Sequence, residues 1–264
     1  MLKVQDLALT KEIKSHLASR QSEIDSLAYE DQVAEADSSW AKKSAKVFDE
    51  IRTCLAAVCP GVRRCHYCED SVADEVEHIY PKKFYPGKTF VSENYLFACG
   101  QCNGSFKRDN FAVIQNDGST VDLIRKKGDP VVAPPAGSPL FLDPRVDDPF
   151  SHIEFDPQTG LFIPLDNPGT RDYQRAEYTI KTLGLNRRDY LSRGRRSAYA
   201  AYIKSIEEYR SQKLNGAQAG ELAVRELEIK DLPHKSVFAE IGRLASAGLL
   251  HSHFWIDVPE LWSP

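Results

Sequence analysis

Arg64-Cys65-His66-Tyr67-Cys68, then Glu75-Val76-Glu77-His78-Ile79-Tyr80-Pro81-Lys82, then Glu93-Asn94-Tyr95-Leu96-Phe97-Ala98-Cys99-Gly100-Gln101-Cys102-Asn103, closed by Lys107-Arg108, form one stretch around which the chain is organised. Two cysteines separated by two residues sit on a tight turn and reach a single cation together. Cys65 and Cys68 make one such pair, Cys99 and Cys102 the other. A tetrahedral four-thiolate Zn²⁺ site fits this spacing, with Zn–S bonds of about 2.3 Å and no open position for a substrate. The expected role is structural, because a loop-rich segment of this size buries little apolar area and metal binding becomes folding energy. A redox pair is the competing reading of one Cys-x-x-Cys, but two such pairs favour metal. His66 could replace a cysteine as ligand, but its position inside the turn is expected to point it elsewhere.

Composition narrows the alternatives. The 264 residues carry 42% hydrophobic and 27% charged side chains, as ordinary globular chains do. The formal net charge of -4 excludes a generic basic coat for nucleic acid, so any phosphate-binding surface must be local or helped by a partner. No apolar run is long enough to cross a bilayer, and Met1-Leu2-Lys3-Val4-Gln5-Asp6 lacks a signal pattern. A cytoplasmic protein with no membrane partner is expected, a setting in which paired cysteines bind metal rather than form disulfides. Of the other cysteines, Cys54 reads as a small buried hydrophobe on a helix face, and Cys59 lies near the metal motif.

Around the central stretch, residues 10–59 read as a helical hairpin. Thr10 caps the first helix, and Trp40, Val47, Phe48, Ile51, Leu55 and Val58 share a face of the second, which Pro60-Gly61 stops. Residues 114–140 read as a turn followed by an irregular Pro/Gly connector, either a boundary or a lid-like loop. A β-hairpin is expected over 152–164, turning at Pro157-Gln158-Thr159-Gly160. Gly184 ends the next helix, Asn186 caps a long one, and helices near 217–229 and 235–247 follow. The tail from His251 to Pro264 is aromatic. No internal repeat is evident. The fold class expected is α+β and mostly helical, divided into 1–61, 62–126 and 127–264.

Between the cysteine pairs lie the residues that carry chemistry. On a regular strand Glu77 and His78 point to opposite faces, and Pro81 favours a bend that lets both approach one site. Glu77-His78-Ile79-x-Pro81, Asn94-Tyr95-Leu96 and Cys99-x-x-Cys102-Asn103-x-x-x-Lys107 together resemble the HNH endonuclease superfamily, in its zinc-bearing treble-clef form with a ββα-metal core. The resemblance covers about a fifth of the chain. It implies a hairpin carrying His78, a loop holding Asn94, and a helix near Cys102 carrying Asn103 and Lys107. It further implies that His78 is the general base, that Glu77 and Asn103 hold a catalytic Mg²⁺ or Mn²⁺, and that Asn94 braces the loop. Glu77 departs from the usual aspartate of the family. Lys82, Lys83, Lys107 and Arg108 are expected to pair with phosphates.

Outside the core, Arg187, Arg188, Arg193, Arg195 and Arg196 form a basic cluster that reads either as a phosphate patch or as a solvated face. Leu142-Asp143-Pro144-Arg145-x-Asp147-Asp148-Pro149, His152-Ile153-x-Phe155 and Thr179-Ile180-x-x-Leu183-Gly184-Leu185-Asn186 are similar to nuclease subunits of Septu-type and retron-associated anti-phage systems. That similarity implies an ATPase subunit as partner. Metal-dependent DNA cleavage is therefore the function expected. The alternatives are a catalytically inactive zinc-stabilised module that binds nucleic acid or protein, and an RNA-directed nuclease.

Overall fold

The structure is a computed structural model that describes residues 1–262. It is α+β and about half helical, with three small antiparallel sheets. The N-terminal region holds three helices, α1 (Lys11–Asp25), α2 (Tyr29–Ala41) and α3 (Ala45–Ala57), where the sequence suggests a two-helix hairpin. Thr10 caps α1 by accepting from the Ile13 amide at 3.3 Å. The extra break falls at Lys42-Lys43-Ser44, where Ser44 caps α3 by accepting from the Val47 amide.

Strands β1 (Glu75–His78) and β2 (Tyr95–Ala98) pair antiparallel, with His78 opposite Tyr95 and Glu77 opposite Leu96. All four β2 residues are buried, because the strand lies between two apolar clusters and its alternation serves both. Tyr95 and Phe97 join Leu17, Ile24, Phe48, Ile51 and Leu55 of the N-terminal helices. Leu96 and Ala98 join the cysteines, Phe111, Phe141 and the C-terminal helices. These clusters cross the expected boundaries near 61 and 126.

A short helical segment, Gln101–Lys107, follows the hairpin and is wound wide enough that Arg108 N–H donates to the Asn103 carbonyl at 2.7 Å. Residues 114–140, expected to be a turn and an irregular connector, instead contribute with Ala112 and Val113 a sheet in the order β4-β3-β5. Its strands are β3 (Ala112–Ile114), β4 (Thr120–Asp122) and β5 (Ser138–Pro139). Gly137 is required there, since a Cβ would stand 2.7 Å from the Ile114 carbonyl oxygen.

The expected second hairpin is present as β6 (Ile153–Phe155) and β7 (Phe162–Pro164). Then come α4 (Arg171–Thr182), α5 (Asp189–Leu214), α6 (Ala219–Lys230), α7 (Lys235–Ser246) and α8 (Ser252–Asp257). Gly184 ends the α4 turn at φ +59°, against the ring of Phe106. Asn186 does not cap α5. Its amide instead brackets the backbone of Phe162, accepting from N–H at 2.9 Å and donating to C=O at 2.7 Å. The aromatic tail packs through Phe254, Leu261 and Trp262, and its last two residues lie outside those described. Among the described residues no helix is long and apolar enough to cross a membrane.

Arg145 and Asp147 join the parts. Arg145 donates to the Tyr95 carbonyl through Nε and Nη2 and to the Gln5 carbonyl through Nη1. Asp147 accepts a two-pronged pair from Arg175 of α4, at 3.0 and 2.6 Å.

Candidate metal centre and adjoining cleft

The turn at 65–68 and the turn leading into Gln101–Lys107 bring Cys65, Cys68, Cys99 and Cys102 together. All four are buried, and their sulfurs lie within 4.8 Å of one another. The Cys68–Cys99 separation is 3.9 Å, close to the roughly 3.8 Å between sulfurs on a tetrahedral Zn²⁺. The Cys102 amide points at Cys99 Sγ at 3.4 Å, as a knuckle turn requires. Burial pushes the Cys65 thiol up, while hydrogen bonding from the neighbouring thiols, Cys102 first, holds Cys68 down. Four thiolates in this enclosure need a cation, and the donor set fits Zn²⁺. This cluster could hold a zinc ion.

Arg188 supports the cluster from outside. Its Nη2 donates to Cys102 Sγ at 3.3 Å and to the Leu183 carbonyl at 2.8 Å, with the guanidinium over the Phe106 ring. The basic cluster, read as either a phosphate patch or a solvated face, is thus divided. Arg188 is buried at the sulfurs, and Arg195 is fully buried and donates to the Gly160 and Leu185 carbonyls. Exposed Arg193 pairs with Asp189 within α5. His66 is no ligand, as its ring nitrogens bond to the backbone of Phe97 and Val58. Cys54 and Cys59 are half-buried, and their thiols donate to the carbonyls of Ala8 and Leu55.

Beside the cysteines, the end of β1 and the segment Gln101–Lys107 border a cleft of about 250 Å³. Glu77, His78, Lys82, Asn103 and Arg108 all line it, with Trp40 of α2 and Asp109. His78 Nε2 donates to the Thr89 carbonyl at 2.9 Å, so the lone pair falls on Nδ1. Burial, opposed by that bond and reinforced by nearby Lys82, Lys107 and Lys43, pulls the imidazole down to about 3. Trp40 packs on the ring, with centroids 4.3 Å apart.

Asn94 is buried outside the cleft. Its Oδ1 accepts from the Tyr80 amide at 2.7 Å, and its Nδ2 donates to the Tyr80 and Lys88 carbonyls at 3.0 and 2.9 Å. One side chain therefore closes the loop between the strands. Asn103 Nδ2 donates to Glu75 Oε2 at 2.7 Å, which leaves its Oδ1 as the oxygen donor.

The expectation for Lys107 is corrected. Its side chain is fully buried, with Nζ 2.6 Å from Glu77 Oε1 and 2.7 Å from the His78 carbonyl. A phosphate in solvent cannot reach it. Glu77 also accepts from the Tyr67 hydroxyl at 3.3 Å. Burial pushes the Glu77 carboxyl up, while Lys107 opposes that push. Lys82 pairs with Asp37 of α2, and Lys83 donates to the Arg125 carbonyl, whereas Arg108 is exposed. Sequence reading missed Trp40, Glu75, Asp109 and the supporting role of Arg188. No local spacing marks them, since Trp40 reads as one more apolar position and Arg188 is 86 residues from Cys102.

A search against family models returns no match, and neither does one against curated proteins.

Proposed function

We propose that the chain is a metal-dependent HNH-type endonuclease that hydrolyses phosphodiester bonds of DNA. One observation carries this reading: His78 commits its Nε2 to a carbonyl and borders a cleft shared with Glu77, Asn103, Lys82 and Arg108. An imidazole fixed through Nε2 has its Nδ1 lone pair placed to accept a proton, while burial holds its pKa at about 3, below the near-neutral value that suits a general base.

His78 Nδ1 takes the proton from a water that attacks phosphorus, and the 3′ oxygen leaves. The products carry 5′-phosphate and 3′-hydroxyl ends. Lys82 and Arg108 supply charge for the phosphate. Asn94 keeps the loop closed, so Thr89 stays in place to orient His78. By the resemblance Glu77 and Asn103 would hold Mg²⁺ or Mn²⁺; both residues border the cleft, and the Glu77 carboxylate would have to exchange its contact with Lys107 for the ion. Such an ion, when bound, stabilises charge on the phosphate and assists departure of the leaving oxygen. The structural Zn²⁺ at the four cysteines holds the hairpin and the helical segment in register. By the resemblance of its 142–149 and 179–186 segments, the chain serves as the nuclease effector of a bacterial anti-phage system beside an ATPase subunit.

The second reading is a zinc-stabilised binding module without cleavage. Lys107 favours it, because its ammonium already neutralises Glu77 where a catalytic cation would sit. Labelled duplex DNA and labelled RNA, incubated in parallel with Mg²⁺ or Mn²⁺, separate the readings. Metal-dependent cleavage of DNA that disappears in His78→Ala supports the enzyme. Cleavage of RNA alone redirects the substrate, and no cleavage of either, with the ATPase partner present, leaves the binding module.

A further inference from the structure

We propose that Glu207, His251 and His253 form a metal site on the C-terminal helices, separate from the cysteine cluster, that takes a borderline divalent transition ion such as Zn²⁺. Glu207 comes from the C-terminal part of α5, His251 from the N-cap of α8 and His253 from its first turn, and their ligand atoms lie within 4.8 Å of one another. His253 Nε2 is 3.0 Å from Glu207 Oε1. The far oxygen, Glu207 Oε2, faces Arg210 at 3.8 Å, and Arg210 is itself held by Asp257 of α8. The carboxylate is thereby turned with Oε1 toward the imidazoles.

The backbone around His251 adds to the geometry. His251 has φ +43°, a left-handed conformation that non-glycine residues adopt at a cost. That conformation, with His251 stacked on Phe254 at 4.8 Å, brings its ring to 5.7 Å from that of His253. Phe254 is fully buried and anchors α8. His253 and Glu207 remain about two-fifths exposed, so an ion reaches them from solvent and water completes its shell. Two imidazoles with one carboxylate are the donors of three-ligand zinc sites, and imidazole selects Zn²⁺, Ni²⁺ or Cu²⁺ over Mg²⁺ and Ca²⁺. A bound ion would staple α8 to α5.

The test compares the full-length wild type with His251→Ala/His253→Ala and with Glu207→Gln. Each is equilibrated with Zn²⁺, freed of loose metal by gel filtration, and assayed for metal per chain. Wild type is expected to retain one more ion per chain than the double variant, whatever number the cysteines hold, and Glu207→Gln is expected to lose that extra ion at lower Zn²⁺. Co²⁺ substitution supplies the folding control, because the sulfur-to-cobalt absorption of the cysteine cluster should be the same in all three. Equal metal content in wild type and double variant would overturn the site and leave only a Glu207–His253 ion pair. Loss of the extra ion to equimolar Mg²⁺ would also overturn the ligand assignment.

Discussion

At His78, burial and protonation oppose one another. The folded imidazole titrates near 3, below its ordinary 6.5, and burial also pulls His66 and His234 down. Below pH 6.5 the unfolded chain takes up protons that the folded chain refuses, so stability falls as pH drops. Each such histidine removes about 1.4 kcal/mol per pH unit until its folded value is reached. Urea unfolding at pH 7, 6 and 5 should show this loss, with a shallower slope in His78→Gln. An equal slope in the variant would mean that His78 is protonated in the fold. The Glu77–Lys107 pair gives a second prediction. Lys107→Met strands a buried carboxylate and should cost about 3–5 kcal/mol, much of it recovered in Lys107→Met/Glu77→Gln, where neither side chain is charged. Denaturation midpoints of the two variants check this, and a double variant no better than the single one refutes it.

Between elements, the hairpin of β1 and β2 depends on what joins its ends. Arg188 reaches back from the start of α5 to the sulfur of Cys102, an outer-shell contact of the kind that tunes metal affinity by about 10–100-fold. Arg188→Met should therefore release zinc to a competing chelator faster than wild type while the chain stays folded by circular dichroism. Unchanged release would reduce Arg188 to a packing residue. This is also where the sequence was legible only in part. Spacing alone brings the four cysteines together, and periodicity and turn residues mark β6, β7 and the C-terminal helices. Strands β3, β4 and β5 have two or three residues each, too few for alternation to register, and β5 meets β3 across 23 intervening residues. Asn186 looks like a helix cap because caps and backbone brackets use the same amide. The arginines after it look like a phosphate patch because charge alone does not disclose burial.

Across the molecule, β2 belongs to two cores at once, and the cysteine cluster stands beside it. Withdrawing the metal should therefore cost more than a local loop, since zinc binding in small modules is worth on the order of 10 kcal/mol. A strong chelator, or Cys65→Ser with Cys99→Ser, should convert one cooperative unfolding transition into a broad one at lower denaturant. Native-like cooperativity after complete zinc removal would place the stabilisation elsewhere. The central claim is that this scaffold presents the His78 imidazole to a phosphodiester, and cleavage of end-labelled duplex DNA by zinc-matched wild type and His78→Gln measures it most directly. Glutamine keeps a donor for the Thr89 carbonyl and removes the Nδ1 lone pair. The account predicts Mn²⁺- or Mg²⁺-dependent cleavage by wild type and a loss of about 10²-fold or more in the variant. Equal rates for the two proteins, or no cleavage by wild type with or without the proposed ATPase subunit, would contradict it.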